Sequence, residues 1–252
     1  MPVREGFFAF LKDIGTSGEV FSLLGSKHLI MLGLIALVTV IMCAFYRRLE
    51  VKKQQLMLKV VALTVLVLEL IRTAVFVFYH QYYPIAELPL YLCGLTIFIM
   101  IIHAFNTNKT SSELLYSLCL PGAVSALLMA NWTMYPILNY FCLHSFILHG
   151  LQIAFVMMIL IDGDLRPRVR NLWRVVVFLV ILVPIIYYVN IKLGTNFLFI
   201  NAGAENTPLA FFINLYGSPG FLVPYAGMLI LLWVFMYLPW ELAGIKKLHA
   251  GK

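Results

Sequence analysis

Charged residues are scarce in this sequence. Only 12% of its 252 residues are Asp, Glu, Lys or Arg, whereas 62% are hydrophobic, and the mean hydropathy is +0.94. Soluble domains typically carry about 25% charged residues. The shortage of charge therefore excludes a soluble globular protein and indicates an integral membrane protein.

Cysteine is also scarce, and none lies in a predicted outside loop. The four cysteines all fall within apolar runs; they are Cys43, Cys93, Cys119 and Cys142. A disulfide framework needs pairs of cysteines in an oxidising compartment, so this pattern excludes one. Each thiol is instead to be explained by packing or by chemistry.

Long apolar runs dominate the rest of the chain. A transmembrane helix needs about 20 mainly apolar residues. Seven windows of this kind occur, at 28–46, 57–80, 87–105, 114–132, 137–160, 173–192 and 220–240. We therefore predict an all-α membrane protein with a seven-transmembrane-helix bundle at 28–243, within a single domain spanning 1–252.

Basic residues alternate along the connections between the predicted helices. Positive loops stay on the cytoplasmic side, and most of the lysine and arginine lies after the first, third and fifth helices and in the tail at 244–252. We therefore predict an N-terminus outside, with an amphipathic segment at 1–27, and a cytoplasmic C-terminus. The net charge of +7 then reflects topology and anionic lipid headgroups, and no motif for binding nucleic acid accompanies it.

A few ionisable side chains fall inside the predicted spans, where a charge costs at least about 2.5 kcal/mol at the bilayer centre. They are Glu69, Arg72, Cys93, His103, His144 and His149. His28 and His80 fall at outer helix ends, where we expect contact with water. Glu69 and Arg72 lie three residues apart, which allows either a neutralising pair or a carboxylate that orients a histidine.

The segment CLHSFILHG holds two histidines, His144 and His149. Five residues turn through about 140° around a helix, so the two rings cannot share one face. Counted from the outer helix ends, Cys93 and His144 lie about 12 Å deep. His149 and Glu69 lie about 20 Å deep. We predict that these four side chains line one cavity that opens outward.

A cysteine beside a histidine can act as a nucleophile. A thiol is mostly protonated near neutral pH, and an adjacent base that removes its proton makes it reactive. The thiolate attacks an ester carbonyl, and the acyl group then passes to a hydroxyl group or to water. From the residues alone, packing and hydrogen bonding remain the commoner roles of such side chains.

Several stretches resemble the YwaF-like integral membrane proteins, the family whose animal relative is transmembrane protein 164. FSLLGSKHLIML resembles the opening of the family, LPLYLCGLTIF its central Pro-Leu-Cys element and CLHSFILHG its double-histidine element. TNFLFINA and LYGSPGFLVPYAGMLILLWVFMYLPW resemble its closing loop and last helix. The order of these stretches and the spacing from Cys93 to His149 carry the resemblance.

The resemblance implies a lipid acyltransferase that needs no cofactor and acts in a cell membrane, a bacterial plasma membrane, on a phospholipid or lysophospholipid. It puts the nucleophile on Cys93 and the base on His149, with His144 as the second choice. Bacterial relatives commonly read PLHLC, whereas this chain has Tyr91 two residues before the cysteine. A tyrosine can donate a hydrogen bond there but is no base near pH 7.

Two other functions stay open. One is a zinc-dependent seven-helix lipid hydrolase, although the sequence has neither HxxxH nor HExxH spacing. Its ligands would be Glu69, His103, His144 and His149. The other is a transporter of lipids or small molecules, with the same ionisable residues along its path. In the long outside loop, Asn196 and Asn201 are either headgroup-binding residues or solvated loop residues.

Overall fold

The structure, a computed structural model, describes residues 6–10, 21–85, 87–163, 165–203 and 207–250, and of Pro208 and residues 244–250 it describes only the backbone. These residues form helices and connecting turns, and no strand occurs among them. Most of the amphipathic segment predicted at 1–27 lies outside the described residues.

Nine α-helices make up the described part of the chain. They are α1 (Ser26–Tyr46), α2 (Val51–Phe78), α3 (Leu92–Phe105), α4 (Lys109–Leu114), α5 (Leu120–Leu128), α6 (Tyr140–Asp162), α7 (Leu172–Leu193), α8 (Pro208–Tyr216) and α9 (Leu222–Ala250). A π-helical turn at Leu115–Cys119 joins α4 and α5 into one continuous helix.

Six of these segments are long and apolar enough to cross a membrane. They are α1, α2, the continuous α4–α5 helix, α6, α7 and α9. The seventh predicted span, at 87–105, contains the shorter helix α3, whose 14 residues extend over only about 21 Å. The hydrocarbon core of a bilayer is about 30 Å thick. The chain is therefore a multi-pass membrane protein, and its described part contains six helices long enough to span a membrane, with α3 as a shorter apolar helix.

The helix predicted at 87–105 begins later than expected, at Leu92. Pro89 disfavours helical backbone in the residue before it, and Tyr91 is still extended, with a ψ of 152°. The residues just before α3 consequently form turns. Non-helical backbone at membrane depth is tolerated where it is buried in protein or lines a water-filled cavity.

The centre of the bundle consists of α6 and the α4–α5 helix. In their most apolar windows 61% and 67% of the residues are buried, against 11% in α1, α7 and α9. The outer helices expose large apolar side chains, such as Leu34, Val180 and Phe235. Exposed apolar surface of this extent fits a lipid environment, so we assign α1, α7 and α9 to the lipid-facing side of the bundle.

His28 is buried, so the expectation that it contacts water at a helix end is wrong. Its Nδ1 accepts a hydrogen bond from the Leu24 backbone N–H at 2.9 Å, and its Nε2 donates to the Leu127 carbonyl at 2.8 Å. Because both ring nitrogens have backbone partners, the neutral ring is satisfied without water. It ties the start of α1 to the end of α5.

The connection between α7 and α8 folds over the start of α3. The buried ring of Phe197 lies 5.0 Å from the ring of Tyr91, centroid to centroid. Asn190 holds this turn, because its side chain donates to the Phe197 carbonyl at 2.9 Å and accepts from the Phe197 N–H at 2.8 Å. Leu198 has a φ of 58°, which non-glycine residues rarely adopt. The outer loop thus caps the region where α3 begins.

Candidate functional site

Cys93 lies in the first turn of α3, one residue after the helix begins at Leu92. The first turn of a helix has unpaired N–H groups and stabilises negative charge. A side chain at Gly94 would be crowded, because its Cβ would lie 3.0 Å from the carbonyl oxygen of Pro89. The sequence PLYLCG therefore folds the proline onto the glycine and leaves the cysteine at the open end of the helix.

Cys93 also differs from the other cysteines in exposure. It is partly exposed, whereas Cys43, Cys119 and Cys142 are buried. A reactive cysteine has to be accessible to its substrate, and buried cysteines are usually inert. Cys93 is therefore the cysteine best placed for chemistry.

A glutamine on α6 holds the first turn of α3. Nε2 of Gln152 donates to the Cys93 carbonyl at 2.9 Å and to Oγ1 of Thr96 at 3.1 Å. Cys93 thus lies level with Gln152, about 18 Å along α6 from its start at Tyr140. The prediction that Cys93 and His144 lie at the same depth is wrong, because α3 starts late and Cys93 is not inside a full-length helix.

His149 lies one turn before Gln152 on α6. Its Nδ1 donates to the Ser145 carbonyl at 2.7 Å, and its ring stacks on Trp132 with centroids 5.4 Å apart and an interplanar angle of 11°. Because the carbonyl accepts only, Nδ1 carries the proton and the lone pair of the neutral ring is on Nε2. The imidazole is therefore held in one orientation and one tautomer.

His144 faces α2 instead. Its Nε2 lies 3.6 Å from Oε2 of Glu69, beyond hydrogen-bond distance. No hydrogen-bond partner of this buried nitrogen occurs in the part of the chain that the structure describes. The prediction that the two rings diverge is confirmed, since His144 approaches Glu69 while His149 stacks on Trp132.

Glu69 and Arg72 form the expected pair on α2. Arg72 donates to Oε1 of Glu69 at 2.6 Å and 3.1 Å, and its Nη1 lies 2.7 Å from Oε2 of Glu87. The carboxylate of Glu69 also has electrostatic interactions with Cys93 and His149. The pair is thus both a mutual neutralisation and part of the surroundings of the cysteine and the histidines.

The other predicted site residues belong to the outer loop or its contacts. Tyr91 is the residue that precedes α3 and packs against Phe197. Oδ1 of Asn196 accepts from the backbone N–H of Asn201 at 3.2 Å, and Oδ1 of Asn201 accepts from the side chain of Asn190 at 2.6 Å. These amides shape the loop, and headgroup binding by Asn196 and Asn201 stays a prediction.

His103 lies apart from the other three residues predicted as zinc ligands. His103 is buried at the far end of α3, where its Nδ1 lies 2.9 Å from Oγ of Ser111. It is separated from Cys93 by about 15 Å along the helix. Among the residues described, no group of three or more His, Cys, Asp or Glu side chains could hold a metal ion. The geometry therefore gives no support to the zinc-dependent hydrolase.

Three residues of the site were missed by sequence reasoning: Gln152, Thr96 and Trp132. They carry no charge, and only ionisable groups had been singled out in the apolar helices. An uncharged amide buried among apolar residues also needs a partner. The available signal was a glutamine placed three residues after a histidine, on the same side of a mainly apolar helix.

A comparison with known proteins assigns the chain to a family. Neither a curated protein nor a solved structure matches the chain. A family model described as the TMEM164 family matches residues 23–237. This range includes all the helices from α1 to α8, most of α9, and the site residues Cys93, His149 and Gln152. The chain belongs to the TMEM164 family.

Proposed function

We propose that this protein transfers acyl groups between glycerophospholipids, with Cys93 as the nucleophile and His149 as the base. The hydrogen bond from Gln152 to the Cys93 carbonyl carries the proposal, because it joins the first turn of α3 to the turn of α6 that follows His149. His144 lies about 12 Å from Gln152 along α6 and approaches Glu69. His149 is therefore the better base.

The reaction has two halves. In the first, Nε2 of His149 takes the proton of the Cys93 thiol while the sulfur attacks an ester carbonyl of a phospholipid. The ester C–O bond breaks, the leaving oxygen takes the proton from His149, and a lysophospholipid departs, leaving a thioester on Cys93. In the second, the hydroxyl of an acceptor lysophospholipid gives its proton to His149 and attacks the thioester, and the departing sulfur regains that proton.

We also propose that the chain crosses the cell membrane seven times, with the N-terminus outside and the C-terminus in the cytoplasm. Contacts between the basic connections support a common end for them: Gln54 with Asp162 at 3.1 Å, Thr110 with Arg174 at 3.0 Å and Val169 with Glu241 at 2.9 Å. Positive connections stay in the cytoplasm. The start of α3 then opens toward the outer leaflet, whose lipids are the proposed substrates.

The test is acyl exchange by the purified protein in lipid nanodiscs. The donor is a phospholipid with a deuterated acyl chain, the acceptor is a lysophospholipid, and mass spectrometry follows the label. We expect transfer by the wild type, none above background by Cys93→Ala, and transfer by the control Cys119→Ala. Transfer that survives Cys93→Ala would overturn the proposal, as would no transfer by the folded wild type.

A labelling experiment tests the same cysteine without turnover. A maleimide with a long alkyl chain should modify Cys93 in the membrane-embedded protein and leave the three buried cysteines, which are Cys43, Cys119 and Cys142, largely unmodified. Peptide mass spectrometry gives the modified fraction at each position. Equal modification of all four would count against a site at Cys93.

Transport of a lipid or a small molecule is the second candidate. It is favoured by the succession of charged and ionisable groups from Glu87 through Arg72 and Glu69 to His144. Such groups in series line the paths of ions and protons through membranes. Uptake into vesicles that persists in Cys93→Ala but is lost in Glu69→Gln would favour transport over acyl transfer.

A further inference from the structure

We propose that Gln152 is a positioning residue for the acyl transfer, fixing the Cys93 thiol relative to the His149 ring. This inference rests on the proposed function and adds to it a residue that touches neither the lipid nor the reacting atoms. In the part of the chain that the structure describes, the Gln152 side chain donates hydrogen bonds to two acceptors, the backbone carbonyl of Cys93 and the hydroxyl of Thr96. Its effect on the reaction would therefore pass through the cysteine.

The hydrogen bonds of Gln152 form a closed arrangement. Nε2 donates to the Cys93 carbonyl at 2.9 Å and to Oγ1 of Thr96 at 3.1 Å, while Oγ1 of Thr96 donates to the same carbonyl at 3.0 Å. Gln152 and Thr96 are each only 1% exposed. Hydrogen bonds in such a low-dielectric interior are strong and hold groups in place.

The start of α3 has a particular need for such an anchor. The residues before Leu92 form turns instead of a preceding helical turn, so the chain on the outer side of Cys93 holds the sulfur less firmly than a helix would. On α6, His149 is already held by its hydrogen bond to the Ser145 carbonyl and by Trp132. Gln152 links this fixed imidazole to the otherwise less restrained cysteine.

Proton transfer and attack depend on precise placement. The reacting groups have to approach to about 3 Å, and a misplacement of about 1 Å can lower the rate about 100-fold. A loss of positioning should reduce turnover without changing lipid binding. It therefore predicts a lower kcat with an unchanged KM.

The experiment compares Gln152→Met with Gln54→Met in the acyl exchange assay, using full-length protein in nanodiscs. Gln54 is a matched control, since its buried Nε2 also bridges two acceptors, the Tyr46 carbonyl at 3.2 Å and Oδ1 of Asp162 at 3.1 Å, away from Cys93. We expect Gln152→Met to lower kcat about 10- to 100-fold with KM within about two-fold. Gln54→Met should keep the wild-type kcat even if it lowers the melting temperature.

Labelling of Cys93 by the long-chain maleimide, measured as a rate against pH, gives a second readout, in which Gln54→Met controls for a general loss of stability. Gln152→Met should change this rate profile, and Gln54→Met should not. If Gln152→Met kept the wild-type kcat and the wild-type labelling rate, the role of Gln152 would be overturned. The proposal that Cys93 transfers acyl groups would not be affected. Equal losses in both variants would overturn the positioning role too, because the role would then be structural.

If Gln152→Met does not fold, Thr96→Val replaces it. This variant removes the donor to the Cys93 carbonyl and the second acceptor of Gln152. We expect it to lower kcat about three- to ten-fold at unchanged KM, and a wild-type kcat would overturn the inference. Absence of exchange and of selective Cys93 labelling in the wild type would instead mean that the proposed function itself is wrong.

Discussion

Two groups of polar side chains lie inside this apolar helix bundle, and they are built differently. The Cys93 cluster comprises Glu69, Arg72, Cys93, His144, His149 and Gln152, and the Glu113 cluster comprises Glu113, Ser117, Asn171 and Tyr237. Both bury groups that are costly in an apolar setting. The difference between them lies in how completely their polar atoms are paired.

The Glu113 cluster is closed. Each carboxylate oxygen of Glu113 accepts a hydrogen bond of 2.7 Å, one from the Asn171 side chain and one from the Tyr237 hydroxyl. Because Tyr237 donates to Glu113, Oγ of Ser117 donates to Tyr237, again at 2.7 Å. The cluster joins the helices α4 and α9 and the turn before α7. A closed network of this kind stabilises the fold.

The Cys93 cluster is open. His144 has a buried Nε2 that is 3.6 Å from the nearest carboxylate oxygen of Glu69, the thiol of Cys93 is partly exposed, and its helix begins only one residue earlier. An incompletely paired polar group in a native protein requires an explanation, and function is one of them. The comparison shows that the two clusters differ in how completely their buried polar atoms are paired, and the candidate site belongs to the incompletely paired one.

The largest effect that tests this contrast is expected within the open cluster. It is the loss of kcat in His149→Gln, compared with the loss in His144→Gln. Loss of a general base typically lowers the rate about 10²- to 10⁴-fold, so His149→Gln should lower the kcat of acyl exchange by that factor. His144→Gln should lower it much less, since this ring approaches Glu69. A larger loss in His144→Gln would assign the base to His144. Melting temperatures of both variants control for folding.

In the closed cluster the expected effect is on stability. Glu113→Leu would leave the Asn171 amide and the Tyr237 hydroxyl without their acceptor, at a cost of about 1–3 kcal/mol for each unpaired buried group. Thermal unfolding in nanodiscs should show a lower melting temperature, with the kcat of the folded fraction unchanged. Glu241→Leu, which removes a more exposed acceptor of the Val169 N–H, should cost less than about 0.5 kcal/mol. Equal costs would mean that the cluster contributes no special stability.

The helices could be predicted from the sequence because length and apolarity suffice to identify a membrane span. All seven predicted windows contain a helix, and the predicted bounds of α1 and α7 are within about two residues of those observed. The start of α3 differed, because Pro89 and the extended Tyr91 delay the helix. Depth counting assumed continuous helices and therefore put Cys93 beside the wrong part of α6.

The site could be predicted only in part. Ionisable residues in apolar helices stand out by their cost, which singled out Cys93, His149 and Glu69. The pairing of helices is a long-range property, and it fixes which turn of α6 faces α3. Gln152 and Trp132 are recognised only once that register is known, because neither carries a charge.

A smaller effect is expected from Glu87→Gln at the edge of the Cys93 cluster. Arg72 would keep its bonds to Glu69, and the glutamine amide oxygen can still accept a hydrogen bond from Arg72, so only the charge of the second pair is lost. The free energy of unfolding should therefore fall by about 1 kcal/mol, less than in Glu113→Leu, where two buried groups lose their acceptor. Thermal unfolding at low and high salt measures this. A cost as large as that of Glu113→Leu would show that the two clusters are equally structural, and the contrast between them would fail.

The smallest effect is expected from Tyr91→Phe, with Tyr237→Phe as its counterpart in the closed cluster. The ring of Tyr91 packs against Phe197, and phenylalanine keeps that contact. The kcat of acyl exchange should therefore stay within about two-fold of the wild-type value. The free energy of unfolding should stay within about 0.5 kcal/mol of the wild-type value. Tyr237→Phe removes the donor to Glu113 and should cost about 1 kcal/mol. If Tyr91→Phe instead lowered kcat about ten-fold at unchanged stability, the hydroxyl of Tyr91 would take part in the reaction.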